Sequence, residues 1–489
     1  MPPLLALFVG LALALGMFWR DRERRKDLSL AICVPLLWYL TAATRPLGIW
    51  LSIWGVPIGG GGSGEDGIFV DRYYYLVLTL VGLGILARRN FKWGETLARS
   101  PWLLCALAFM ALSIVWSNFP YISFKRFVKV IGSATMALVI LTEKSPSASL
   151  LALLRYTLYL HVPLSIICNK YFRGISVQFS WDGGSQMWQG LATSKNTLGQ
   201  VAMLAFVYFL WEVWREWRSK GWRNPHLAYL LMAVWLLKGS ENGVSMTSVI
   251  VCIFASVTFL QLQRLHRRGA SVVPFGRLVF AATIGLATLV YLHGIFLFDE
   301  DSLFGKMITT FGRNITLTDR THIWNGMYEA ARGSLFGGVG FGGFWIGREA
   351  NIGWNATMTW VLGQGHNGYV DTFLQTGSIG LILMLGVILS TFRRLLHSSG
   401  NNFDYFAFRL TLLLTIIFIN ITETTFLRGD HHLWFLFMVV CWSVALPEPE
   451  STGAGSSLAE GDPADSGSSY AAEEAADPSD PRGELPAVR

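Results

Sequence analysis

The chain has 489 residues, 52% of them hydrophobic and only 15% charged, with 20 Trp and 32 Phe. So much apolar surface excludes a soluble domain of this size and describes a polytopic membrane protein. The net charge of +7 reflects an uneven division of Lys and Arg between loops and says nothing in favour of nucleic acid.

Apolar stretches near the ~20 residues that a helix needs to cross hydrocarbon recur along the chain. They lie at about 3–19, 28–43, 73–87, 101–117, 126–142, 149–168, 197–214, 226–240, 246–262, 276–297, 378–396, 405–422 and 433–447, thirteen in all. The predicted fold is therefore all-α, with 12–13 transmembrane helices within a domain spanning 1–447. The first stretch does not read as a cleaved signal peptide, because it lacks a basic start and runs straight into RDRERRK. The five cysteines all sit in apolar runs and read as small buried hydrophobes, with no disulfide framework or zinc site implied.

Between these stretches the chain carries polar motifs. Arg45 leaves the second in TRPLGIWL (44–51), and VWSNFPYISFKR (115–126) brings Arg126 and then Lys129 into the fifth. WQGLATSKNTLGQ (188–200) places Lys195 and Asn196 directly before the seventh. Residues 298–370 form one long hydrophilic loop. In it, Ile323, Trp324 and Met327 after Arg320 share one face of a predicted short helix, and SLFGGVGFGGFW (334–345) follows. His366 and Asn367 end the loop, and nine residues later Gly377-Ser-Ile-Gly380 leads into the run Leu381 to Ser390, where a spanning helix is expected to start. Glu423, Arg428, His431 and His432 lie between the last two spans. Residues 448–489 turn to Gly, Ser, Ala, Pro and acid, with ten Asp/Glu against Arg482 and Arg489, and read as a disordered cytoplasmic tail.

Orientation follows from the basic residues. The loops around 20–27, 88–99, 215–223, 264–268 and 393–409, with Lys144, hold twenty Lys/Arg, against ten in the short loops that alternate with them. The first set is assigned to the cytoplasm, which puts the amino terminus, the long loop and His366 outside. Cations outside run against that signal and invite a functional reading: Arg320, Lys195, Arg126, Lys129 and Arg45 could hold a membrane-anchored diphosphate, since Arg binds phosphate oxygens bidentately. At span ends the same side chains ordinarily snorkel to lipid headgroups. An imidazole at the membrane surface is suited to proton exchange near neutral pH, although a loop histidine can simply be satisfied by its neighbours. Asp299 and Asp301 have the D-x-D spacing of metal-dependent nucleotide-sugar transferases but read as a solvated loop start, and no metal or cofactor is predicted. The chain has no G-x-S-x-G elbow, P-loop or H-E-x-x-H.

Taken together, the motifs resemble the superfamily of O-antigen ligases and exopolysaccharide or O-antigen polymerases of bacterial inner membranes. The hallmark H-N-x9-G-x-x-G is complete at His366, Asn367, Gly377 and Gly380. The stretches from Arg320 to Trp345 and at 188–200, 115–126 and 44–51 are similar to the family's other segments, in the same order. The resemblance implies a GT-C-like membrane enzyme that performs an inverting, metal-independent glycosyl transfer in the periplasm from a polyprenyl-diphosphate glycan to a glycan or lipid-linked acceptor. It implies Arg320 on the diphosphate and His366 serving the acceptor hydroxyl or the diphosphate. Lys195, Asn196, Asn367, Arg126, Arg45, Glu423 and Arg428 are expected to line the substrate site, and a flippase and a chain-length regulator would be working partners. One departure is Met246 in VSMTSVI, where ligases carry an arginine, with Lys238 or Lys195 as a substitute charge; it tilts the reading toward polymerase. A solute or glycan transporter is the alternative from another class, although paired repeats are not evident.

Overall fold

The computed structural model describes residues 2–25, 28–57, 68–179, 186–240, 243, 245–296, 301–310, 320–346, 363–400 and 402–444. The acidic tail, Asp299 and much of the long loop lie outside the described residues. The architecture is all-α and that of a multi-pass membrane protein.

The amino-terminal half holds α1 (Pro3–Arg20), α2 (Cys33–Ala43), α3 (Leu47–Ile53), α4 (Phe69–Arg88), α5 (Trp93–Ala98), α6 (Pro101–Ser113), α7 (Pro120–Leu141), α8 (Pro146–Tyr171) and α9 (Arg173–Ser176). A small antiparallel hairpin follows, β1 (Val177–Phe179) on β2 (Gln186–Trp188), with Gln178 opposite Met187. Then come α10 (Lys195–Lys220), α11 (Pro225–Lys238), α12 (Met246–Arg267), α13 (Val273–Phe296), α14 (Leu303–Thr310) and α15 (Arg320–Ala331). The last three are α16 (Gly368–His397), α17 (Phe403–Ile419) and α18 (His432–Ser443).

Each of the thirteen apolar stretches falls on a helix in its described residues. Among the described residues seven helices are long and apolar enough to cross a membrane, or eight if the pair Leu30–Ala43 and Leu47–Ile53, bent by 66° at Arg45-Pro46, is one span. The others fall short for distinct reasons. α6, α11, α17 and α18 are brief, and the first half of α7 carries Lys125, Arg126 and Lys129. Burial sorts the bundle. α17 and α18 are buried almost all round and form its centre, whereas α1, α4 and α16 leave Leu4, Phe8, Val77, Leu80, Ile382 and Leu385 exposed, the pattern of a lipid-facing surface.

One boundary differs from the sequence expectation. α16 starts at Gly368, ten residues before the apolar stretch 378–396, because the Asn367 side chain caps it by accepting from the Tyr369 and Val370 amides at 3.0 and 3.1 Å. Its polar first turns are buried because each polar group is satisfied. The Asp371 carboxylate accepts from Trp345 Nε1 at 2.6 Å and from the Gly365 amide at 3.0 Å, and Gln375 Oε1 accepts from the Gly342 amide at 2.9 Å.

Candidate active site

Gly377 breaks α16 with φ 65°, ψ −168°, a conformation that only glycine adopts without strain. A side chain there would also collide with the Phe336 carbonyl. The break frees backbone groups inside the bundle, and the glycine-rich stretch 334–345 takes them up. The Val339 and Gly340 amides donate to the Leu374 and Gln375 carbonyls at 2.9 and 3.1 Å, while the Ser378 and Ile379 amides donate to Leu335 and Phe336 at 2.8 and 3.2 Å. Gly338, at φ 69°, has no room for a Cβ against the backbone of Gln375 to Gly377. Gly380 leaves space for the Thr376 side chain one turn before it. Gly377 of the hallmark thus docks the long loop onto the bundle, while Gly380 makes room within α16 itself.

The stretch 115–126, with Ser113 just before it, clamps the same loop from the other side. Trp116 Nε1 donates to the Gly337 carbonyl at 3.3 Å, the Phe341 amide donates to Ser113 Oγ at 3.1 Å, and Arg126 donates to the carbonyls of Gly342 and Trp345 at 2.6 and 3.0 Å. Arg45 does equivalent work elsewhere. Buried at the α2–α3 bend, it donates to the carbonyls of Ile175, Gly190 and Ala192 at 2.5, 3.3 and 2.9 Å, and so fixes the segment that leads to Lys195 and Asn196. Both arginines, expected to face substrate, are given loop carbonyls as partners.

The remaining candidates converge on one carboxylate. Glu423 is buried in the turn after α17, and its Oε1 accepts from Arg320 Nη2 at 2.7 Å and from Asn196 Nδ2 at 3.1 Å. Its Oε2 lies 3.4 Å from His366 Nδ1. The backbone joins the same segments, since the Gly368 amide donates to the carbonyls of Asn420 and Glu423 at 2.8 and 3.1 Å. Burial alone would push the Glu423 carboxyl up, but the hydrogen bond with His366 and the charge of Arg320 outweigh it and hold the group below the ordinary carboxylate range. Arg428 is tied in through Gln364, donating to its Oε1 at 2.8 Å, and Lys195 opens α10 beside Asn196, behind the Ser194 cap. Nearby, Lys129 pairs with Asp430 at 3.0 Å and holds that carboxyl well down.

His366 has φ 52°, rare for a residue with a side chain. It is kept there by fixed neighbours: the Gly365 carbonyl accepts from Trp324 Nε1 at 2.8 Å, the Gly365 amide is held by Asp371, and the Asn367 amide donates to Thr424 Oγ1 at 3.2 Å. Its side chain is 26% exposed and that of Arg320 18%, against 4% for Glu423, so solvent reaches the histidine and the arginine while the carboxylate stays behind them.

No family model matches the chain. It is 23% identical over 308 residues to the "Exopolysaccharide production protein ExoQ" of Rhizobium meliloti (strain 1021). The match covers 60% of the chain and 64% of ExoQ, so the chain spans just under two thirds of that relative's length.

Sequence reasoning missed Asp371, Gln364 and Thr424. Asp371 carried a signal, an acid at the head of a buried helix, but its role depends on partners that fold back from the loop. It also missed a second polar cluster at the far end of α10. There Arg155 pairs with Glu212 at 2.9 Å and Asp21 at 3.3 Å, Tyr159 bridges Asp21 and His226 at 2.9 and 2.8 Å, and His226 Nδ1 lies 3.1 Å from Glu216. Glu212, Glu216 and His226 have metal-ligand spacing, yet Arg155, Arg215 and Lys220 already pair with the two carboxylates.

Proposed function

We propose that the protein is an integral-membrane glycosyltransferase of exopolysaccharide production, polymerising or transferring glycan from a polyprenyl-diphosphate donor on the periplasmic side of the inner membrane. The observation that carries this reading is the convergence of Arg320, His366 and Asn196 on Glu423 from sequence separations of 103, 57 and 227 residues. Such a site offers a fixed cation for a diphosphate leaving group and a nearby imidazole for an acceptor hydroxyl. A diphosphate leaves readily, so charge stabilisation and a base are sufficient chemistry. The side assignment is supported by α10 and α16, which start at the site and carry Arg215, Arg218 and Lys220, and Arg393 and Arg394, at their opposite ends. ExoQ's printed name, an exopolysaccharide production protein, supports the exopolysaccharide part of this reading.

The step runs as a displacement at the anomeric carbon. The acceptor oxygen forms the new glycosidic bond while the bond to the diphosphate breaks, the leaving oxygen keeps the electron pair near Arg320, and the acceptor proton passes to His366. No divalent metal takes part in this scheme. Protein reconstituted in liposomes with a diphosphate-linked glycan should extend or transfer that glycan, in excess chelator as well as without it. His366→Ala should lower transfer by about two to four decades while inserting normally. Wild-type turnover by that variant overturns the assignment, and activity restored only by added metal overturns the metal-free scheme.

A further inference from the structure

We infer that Glu423 is a positioning residue that sets the tautomer of His366, accepting Nδ1–H so that Nε2 is left as the nitrogen that takes the acceptor proton. The inference rests on the glycan-transfer reading above and assigns the atom at which the base acts. Each oxygen of the carboxylate has a separate task. Oε1 faces the donors Arg320 Nη2 at 2.7 Å and Asn196 Nδ2 at 3.1 Å, and Oε2 faces His366 Nδ1 at 3.4 Å. An arginine is always a donor, so the ion pair occupies one carboxylate oxygen and leaves the other, equivalent in charge, facing the ring.

One neighbour competes for the same nitrogen. Gln364 Nε2 lies 3.5 Å from His366 Nδ1, its carbonyl held by Arg428, and an amide would offer a proton where the carboxylate requires one. The charge decides between them. A lone pair on Nδ1 would face an anion at 3.4 Å across a mostly buried contact, whereas N–H there makes a charge-assisted hydrogen bond. The strained backbone at His366 and its pinned neighbours keep the ring against Glu423. During transfer the acceptor hydroxyl loses its proton to Nε2 as the oxygen bonds to the anomeric carbon. Glu423 then faces an imidazolium, whose proton is released to water.

Glu423→Gln tests this with little change of shape. Arg320 and Asn196 both donate, so the new carbonyl must face them and the new NH2 must face His366 Nδ1. The ring then has to accept at Nδ1 and carry its proton on Nε2, the wrong tautomer for a base. Solid-state 15N spectra of histidine-labelled protein in liposomes, with the His366 signals identified by their loss in His366→Ala, should show Nδ1–H in the wild type and Nε2–H in Glu423→Gln. Transfer should fall by about three to four decades, with KM changed only a few-fold, and Glu423→Asp should recover part of the rate. An Nε2–H ring in an active wild-type protein, or wild-type turnover by Glu423→Gln, overturns the tautomer assignment alone. An Nδ1–H ring in a wild-type protein without transfer overturns instead the glycan-transfer reading and the base role built on it.

Discussion

Helix α10 carries a cluster of arginine, carboxylate and histidine at each end, and the two are built differently. At the Glu212 end every group sits on or at the end of a helix, the side chains of Arg155, Glu212 and His226 are at most 5% exposed, and donors and acceptors meet in a closed set: Glu212 alone receives Arg155, Tyr208 and Arg215. At the Asn196 end two of the central residues, Glu423 and His366, come from turns, the histidine backbone is strained, and its ring is partly open to solvent. A saturated cluster has nothing left to offer a ligand and serves to lock α1, α8, α10 and α11 together. A cluster with strain and partly exposed donors is open to solvent, as the proposed substrate site requires.

That contrast breaks if the Glu212 cluster proves dispensable. Arg155→Met leaves Asp21 and Glu212 buried without their shared cation and should destabilise the fold by about 3–5 kcal/mol, read as a lower thermal midpoint in detergent. An unchanged midpoint means that the cluster is not a lock.

The Glu423 cluster should respond in rate more than in stability. Arg320→Ala should slow transfer by one to two decades, from the loss of roughly 1.5–3 kcal/mol of charge-assisted contact in the transition state. Arg320→Lys should recover only part, because the planar fork is lost. Normal turnover by Arg320→Ala with purified donor would remove the arginine from the site.

The smallest effect concerns pH. The Glu423 carboxyl is held low by His366 and Arg320 against its own burial. Its stabilising contribution is therefore complete above the unfolded carboxylate value, about pH 4.3, and is lost as pH falls through its lower folded value. Protection of the Gly365–Gly368 amides from hydrogen exchange should hold from neutral pH to about 5 and decline only below 4. In Glu423→Gln this decline should be weaker; an equal decline would assign it to other groups.

Much of the site was legible as a list and little of it as a geometry. His366, Arg320, Asn196 and Glu423 were all named from sequence, and the structure brings them together. Asn367 was placed among substrate-binding residues, but its side chain caps α16, because a cap is visible only once the helix start is known. Arg45 and Arg126 looked like surplus outer cations, while their partners are backbone carbonyls 130 to 219 residues away. No local pattern marks a carbonyl as an acceptor.

By itself the sequence determined the membrane class, the all-α fold, thirteen apolar stretches that each fall on a helix, and the order of the motifs. Those rest on helix length and side-chain polarity, which are local properties of the chain. Only the tertiary structure decided that Gly377 breaks a helix to seat the glycine-rich loop, that two arginines hold loops, and that Glu423 joins segments as much as 227 residues apart. These are long-range pairings made because a buried backbone group or charge must find a partner, and the fold determines which partner is within reach.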